Sequence, residues 1–156
     1  MKTKLVVFTL LASISAFASF AQDAADPFAD VVETRHGLML QMASDLGTLG
    51  GMAKGTAAYD QAAATQAASN IAAIASVLSM AQFPAGSETG AAADSYALAD
   101  IWTKQDDFLS KITDLNNAAG MMKMAAATDA NAIKGSMAQL GGACSACHKS
   151  YRQPES

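Results

Sequence analysis

Residues 130–151 read ANAIKGSMAQLGGACSACHKSY, and this stretch decides the fold. Ala130, Ile133, Met137, Leu140, Cys144, Cys147 and Tyr151 follow one another at alternating intervals of three and four residues. That is the period of an α-helix whose apolar stripe packs at a shallow angle on neighbouring helices. Thr128 or Asp129 can cap its start. Gly141 and Gly142 lower helix propensity inside it and leave room for something bulky beside the backbone. Both cysteines fall on the stripe, so the pair is expected to face the core.

Three more segments carry the same period. The first runs from about Pro27 to about Leu49, with Asp26 as its expected cap and Pro27 at the first helical position. Its seam is Phe28, Val32, Arg35, Met39, Met42, Leu46 and Leu49, and Gly50, Gly51 and Gly55 are expected to end it. The second runs from about Asp60 to about Gln82, with a seam of Ala67, Ile71, Ile74, Leu78 and Ala81. So much alanine lets helix backbones approach closely, in the core or at a subunit contact. Residues 83–95, punctuated by Pro84, Gly86 and Gly90, form the longest irregular stretch. The third helix is expected from Asp94 or Ser95, with Ser95 as a cap, to about Ala119. Leu98, Ile101, Phe108, Ile112, Leu115 and Ala119 line its face, with Trp102 beside them as core filler. Four amphipathic helices of this length predict an all-α, antiparallel up-down-up-down four-helix bundle.

The chain has 156 residues and a formal net charge of −4. Sparse β-branched and aromatic residues argue against a sheet, and no basic stripe exists to displace counterions from a nucleic acid. Lys2 and Lys4 precede the apolar run Leu5 to Leu11, and Ser19-Phe20-Ala21 places small residues at the −3 and −1 positions of a cleavage site. Residues 1–21 therefore read as a secretory signal peptide, with Ala18 as a second cleavage point and a retained membrane anchor as the alternative. Cleavage after Ala21 removes two lysines and leaves a domain of residues 22–156 with a charge of −6. The expected location is the periplasm, away from anionic membrane surfaces.

The chemistry resides in Cys144-Ser145-Ala146-Cys147-His148. C-x-x-C-H is the attachment pattern of c-type haem. Two vinyl groups on one porphyrin edge become thioethers with two sulfurs one helical turn apart, and the adjacent imidazole supplies an axial nitrogen to iron. A thioredoxin-like pair would instead open a helix, where the dipole lowers a thiol pKa. A zinc site would need a fourth ligand, and the only other histidine is His36. A haem-free helical protein with a structural disulfide is the remaining alternative. His36, Met39 and Met42 are the candidates for the other face of the iron, with His36 off the seam. No paired carboxylates, phosphate-cradling loop or nucleophile elbow points to an enzyme.

These motifs, taken in order, resemble the cytochrome c-prime family: Arg35-x-x-x-Met39-x-x-Met42, Phe83-Pro84-x-Gly86-x-Glu88, Ile101-Trp102, and Cys144-x-x-Cys147-His148-x-x-Tyr151-Arg152. The resemblance spans essentially the whole mature chain, and the last motif is the most specific. It implies one covalent haem c per chain, with His148 as the only protein ligand of a pentacoordinate, high-spin iron. It places Met39 as a distal residue that does not ligate, Arg35 near a haem propionate and Arg152 beside the proximal histidine. It further implies reversible binding of nitric oxide and carbon monoxide, discrimination against dioxygen, some role in electron transfer with an unidentified redox partner, and a homodimer joined through the first two helices. The alternative within the same bundle is a low-spin electron-transfer cytochrome with Met39 or Met42 as sixth ligand.

Overall fold

The computed structural model describes residues 25–154, so the leader expected at residues 1–21 lies outside the described residues. Four long helices form: α1 (Ala29–Lys54), α2 (Gln61–Val77), α4 (Gln105–Ala126) and α5 (Ala130–Tyr151), with the single-turn α3 (Asp100–Thr103) ahead of α4. The extensive contacts run α1 to α2, α2 to α4, α4 to α5 and α5 back to α1, the cycle of an up-down-up-down bundle. The core holds Leu49, Ile71, Ala119, Met122, Ile133 and Leu140, all buried. The alanines of α2 do most of that helix's packing: Ala64, Ala67, Ala68 and Ala75 are buried, whereas Ala81 is exposed.

Side-chain caps mark two helix starts, one near the expected Asp60 boundary and one at Asp129, the second of the two residues offered as caps for the last helix. Asp60 accepts a hydrogen bond from the Ala63 N–H at 3.0 Å, and Asp129 accepts one from the Ala132 N–H at 2.8 Å. Asp26 does not cap α1; the cap position is Phe28 and has no side-chain hydrogen bond. Asp26 instead accepts from the Phe28 N–H at 2.8 Å and from the Ala93 N–H at 2.6 Å, stitching the start of α1 to a distant loop. These two amides hold its carboxyl below the ordinary range.

Other boundaries also move. α1 continues through Gly50 and Gly51 and stops at Gly55, whose φ of 72° is left-handed. Packing explains the continuation: Gly50 is buried, and a Cβ built on it would meet Met137 of α5 at 3.7 Å. α2 ends at Val77, and a capping box between Ser79 and Gln82 starts a separate 3-10 turn. The third long helix begins at Gln105, ten residues later than Ser95, because the Ser95 hydroxyl is engaged elsewhere. It then runs on to Ala126, past the expected Ala119, with Met122, Ala125 and Ala126 buried.

Since Gly50 is helical and the space at its Cβ is ordinary contact distance, Gly50→Ala should stabilise the fold by about 0.5–1 kcal/mol. Urea unfolding checks this; a loss of stability would mean that the helix is broken there.

Candidate functional site

The final turns of α5 carry Cys144, Cys147 and His148, all half-buried, with both cysteines free thiols. The two sulfurs and the imidazole therefore do not sink into the core as the periodicity predicts; they border open space. Two cavities meet there. The larger is a cleft of about 720 Å³ walled by Arg35, His36 and Met39 of α1, Phe83 and Tyr96 of the α2–α3 connection, Phe108 of α4, and Cys147, His148 and Tyr151 of α5, with Arg152 just beyond. The smaller, about 150 Å³, lies among Met39, Met42 and Leu46 of α1, Ile71 of α2, Leu115 of α4, and Leu140 and Cys144 of α5. Met39, Cys147 and His148 border both. No protein atom outside its own helix comes within 4 Å of a Cβ placed on Gly141 or Gly142, so their role in admitting a bulky neighbour is not filled by protein.

Burial pushes the Cys147 thiol up to about 11, with the neighbouring Cys144 adding to the effect, and burial also raises Cys144. A redox-active C-x-x-C requires the reverse, a thiol lowered by a helix N-terminus or a nearby cation. Neutral thiols one turn apart at the edge of an apolar cleft suit covalent attachment to a planar apolar group. The cleft volume falls within the roughly 300–1,000 Å³ typical of ligand and cofactor pockets. None of the residues lining either cavity is Asp or Glu, while Arg35, Arg152, His36 and Lys111 all contribute to the walls. That charge pattern fits a group bearing carboxylates, in a protein that is otherwise acidic.

Arg35 is buried on the seam of α1, but its partners are supplied by the protein. Nη1 donates to the Ser87 hydroxyl at 2.9 Å, and Nη2 donates to the Ser87 carbonyl at 3.0 Å and to the Ser95 hydroxyl at 3.1 Å. The guanidinium carbon also stands 5.1 Å from the centre of the Phe83 ring. Burial lowers its pKa. Arg35 thus organises the irregular segment between α2 and α3 as well as facing the cleft. Ser87 and Ser95 were not legible as site residues, because loop serines carry no distinguishing pattern.

The same segment is fastened to the end of α5. The Leu98 N–H donates to the Tyr151 carbonyl at 3.0 Å, and the Gln153 N–H donates to the Tyr96 carbonyl at 2.8 Å. Ala97 and Arg152 form an isolated antiparallel bridge, so Arg152 is placed at the cleft by its backbone. Trp102 donates its indole N–H to the Phe83 carbonyl at 3.0 Å, a structural role consistent with its reading as filler. His36, expected off the seam, lies on the cleft wall with its ring 5.9 Å from that of the half-exposed Tyr96. Helical spacing misplaced it because a cleft at a bundle's end is wider than one seam. Met42 lines only the smaller cavity, beside Cys144, whereas Met39 lines both.

Replacing Arg35 with methionine would remove three charge-assisted hydrogen bonds to Ser87 and Ser95, leaving those oxygens only their bonds to Pro84, Ala97 and each other. The expected cost is about 2–3 kcal/mol in denaturant unfolding. A cost below that of an ordinary surface change would show that the guanidinium does not hold the segment.

Comparison with known proteins places this geometry in a family. A family model described as Cytochrome C' matches residues 30–152. The chain is 49% identical over 143 residues to cytochrome c-554 of Cereibacter sphaeroides, covering 92% of this chain and 93% of that protein. It resembles the solved structure of cytochrome c prime from Shewanella frigidimarina, with a TM-score of 0.72, 35% identity and coverage of 81% and 97% of the two chains. It also resembles a nitric oxide complex of a mutant cytochrome c prime from Alcaligenes xylosoxidans, at a TM-score of 0.71 and 27% identity, covering 81% and 97%. The two thiols on the last helix of this bundle accordingly serve covalent haem c, and the chain belongs to the cytochrome c-prime family.

Proposed function

We propose that this protein binds nitric oxide and carbon monoxide reversibly at a pentacoordinate, high-spin haem iron. It is a binding and electron-exchanging protein, not an enzyme. One observation carries the reading: Met39, an unbranched and movable side chain, is the residue of α1 that borders both cavities with His148. Haem bonded to Cys144 and Cys147 supplies an iron that takes a diatomic ligand and cycles by one electron. His148 would hold that iron, and Arg35 and Arg152, which line the same cleft, would pair with the carboxylates of the group. Arg152 also influences the donor strength of His148 from its position four residues on. Met39 and Met42 bring sulfur and hydrocarbon to the cavity they share with His148 and would shield the iron there. A ligand must displace Met39, which costs packing and favours the strongest iron binders. The relative solved as a nitric oxide complex supports this assignment.

The same placement of Met39 favours a second reading, a low-spin electron-transfer cytochrome in which its thioether is the sixth ligand. Met39 is better placed for this than Met42, which does not reach the larger cleft. The two readings separate in one measurement. Optical and magnetic-resonance spectra of the ferric protein at neutral pH should show high-spin iron; a methionine–iron charge-transfer band with low-spin iron would establish the second reading instead. Met39→Ala should speed carbon monoxide association severalfold, and an unchanged rate would remove Met39 as the gate.

The protein is read as exported, with residues 22–156 as the mature domain in the periplasm. We also propose a homodimer through α1 and α2, supported by the exposed apolar side chains of Leu40 on α1 (70%) and Val77 on α2 (54%). Sedimentation should give twice the chain mass; a monomer at micromolar concentration would overturn it.

A further inference from the structure

Tyr151 ends α5 inside the cleft wall that also holds Cys147 and His148, and it is only 3% exposed. Its hydroxyl donates to Asp107 Oδ2 of α4 at 2.5 Å, with the Lys104 carbonyl at 3.5 Å. The other Asp107 oxygen pairs with Lys111 Nζ at 3.3 Å, and the Asp107 side chain is 54% exposed. A buried phenol at the cofactor cleft therefore rests directly on a base that communicates with water. Burial and the carboxylate together raise the phenol to about 12, while the same hydrogen bond lowers the Asp107 carboxyl. The phenol is thus neutral and its acceptor ionised at neutral pH.

The other tyrosines lack this arrangement. Tyr59 donates to the Ala126 carbonyl at 2.9 Å, which cannot take up a proton, and it lines neither cavity. Tyr96 is half-exposed at the cleft, its ring tilted by 40° to that of His36. The Tyr151 ring also meets Phe108 edge-on at 5.2 Å, and Phe108 meets Phe83 at 4.9 Å, so its surroundings are apolar on the ring side and ionic only at the hydroxyl. A helix-to-helix clasp would need only the hydrogen bond; it would not need that bond to sit on the wall of a redox site.

We propose that Tyr151 is a redox-active tyrosine, with Asp107 as its proton acceptor, which returns an electron to the haem site after that site has reduced a hydroperoxide. The inference rests on the haem assignment above. The hydroperoxide takes two electrons and two protons; its O–O bond breaks, and alcohol and water leave. Both electrons come from the haem site. Tyr151 restores one of them, and its phenolic proton moves to Asp107 Oδ2, leaving a neutral phenoxyl radical on Tyr151 and a carboxylic acid on Asp107. The second oxidising equivalent stays at the haem site, so the two electrons taken by the hydroperoxide are accounted for by the phenoxyl and that site in a single stoichiometric oxidation. Without the acceptor, oxidation would leave a protonated phenol cation in an apolar wall, which burial strongly disfavours. The pair draws oxidising equivalents away from the porphyrin and its thioethers.

The test is freeze-quenched electron paramagnetic resonance of the holoprotein after addition of hydrogen peroxide. A tyrosyl radical is expected, absent from Tyr151→Phe and retained in Tyr59→Phe. The phenylalanine variant keeps the ring packing and should keep the ferric spectrum. Asp107→Asn keeps an oxygen acceptor but removes the base, and should cut the radical yield roughly tenfold, the scale of a lost charged hydrogen-bond partner. A radical of full yield in Tyr151→Phe or in Asp107→Asn overturns the proposal, as does a wild-type holoprotein with no tyrosyl radical. A pyridine haemochrome assay on the same samples separates the levels: protein without covalent haem defeats the haem reading and this one together, whereas haem without the radical defeats this one alone.

Discussion

One turn of helix has to present two thiols and an imidazole to a cavity while its other face remains in a bundle core. α5 meets both demands because its seam changes character along its length. Ile133 and Leu140 are fully buried, whereas Cys144, Cys147 and His148 are only half-covered. The stripe continues, but the neighbouring helices part from it, and the space between them is the cleft. Everything else in the site is positioned relative to that turn.

Three groups of residues hold the cleft open and shaped. α1 supplies Arg35, His36 and Met39 along slightly more than one turn, so cation, imidazole and thioether face the same space. The irregular segment from Phe83 to Ala99 closes one side. It has little regular structure of its own, and it is held by the buried Arg35 guanidinium through Ser87 and Ser95 and by backbone hydrogen bonds to Tyr151 and Gln153. The aromatic group of Phe83, Phe108 and Tyr151 forms a second small core at this end, distinct from the main bundle core. A buried cation satisfied by neutral oxygens is electrostatically unbalanced, and the acid-free walls around it share that bias. A cofactor that brings its own carboxylates completes such a site.

Function on this scaffold turns on a single side chain. A thioether can pack over a metal or bind it, and the two outcomes separate a gas-binding iron from an electron-transfer iron. Met39 borders both cavities together with His148, and Leu46, Ile71 and Leu115 line the smaller one with it. Tyr151, which donates to Asp107, lies elsewhere on the cleft wall and is independent of that choice.

Periodicity and motif spacing by themselves determined four helices, the bundle class and the haem-attachment cysteines Cys144 and Cys147, because these depend on local geometry: a turn of 3.6 residues sets which side chains share a face. Local signals also placed the start of the second helix near Asp60 and narrowed the last helix's cap to Thr128 or Asp129, of which Asp129 caps it. Where a partner distant in the chain competes, the tertiary structure decided. Gly50 stays helical beside Met137, Ser95 shares its oxygen between the Ala97 N–H and the distant Arg35, and Asp26 turns to Ala93, 67 residues away. The half-burial of the thiols, the place of His36 on the wall and the hydrogen bond from Tyr151 to Asp107 belong to the same class. Each depends on where two helices diverge, and no spacing within one helix encodes that.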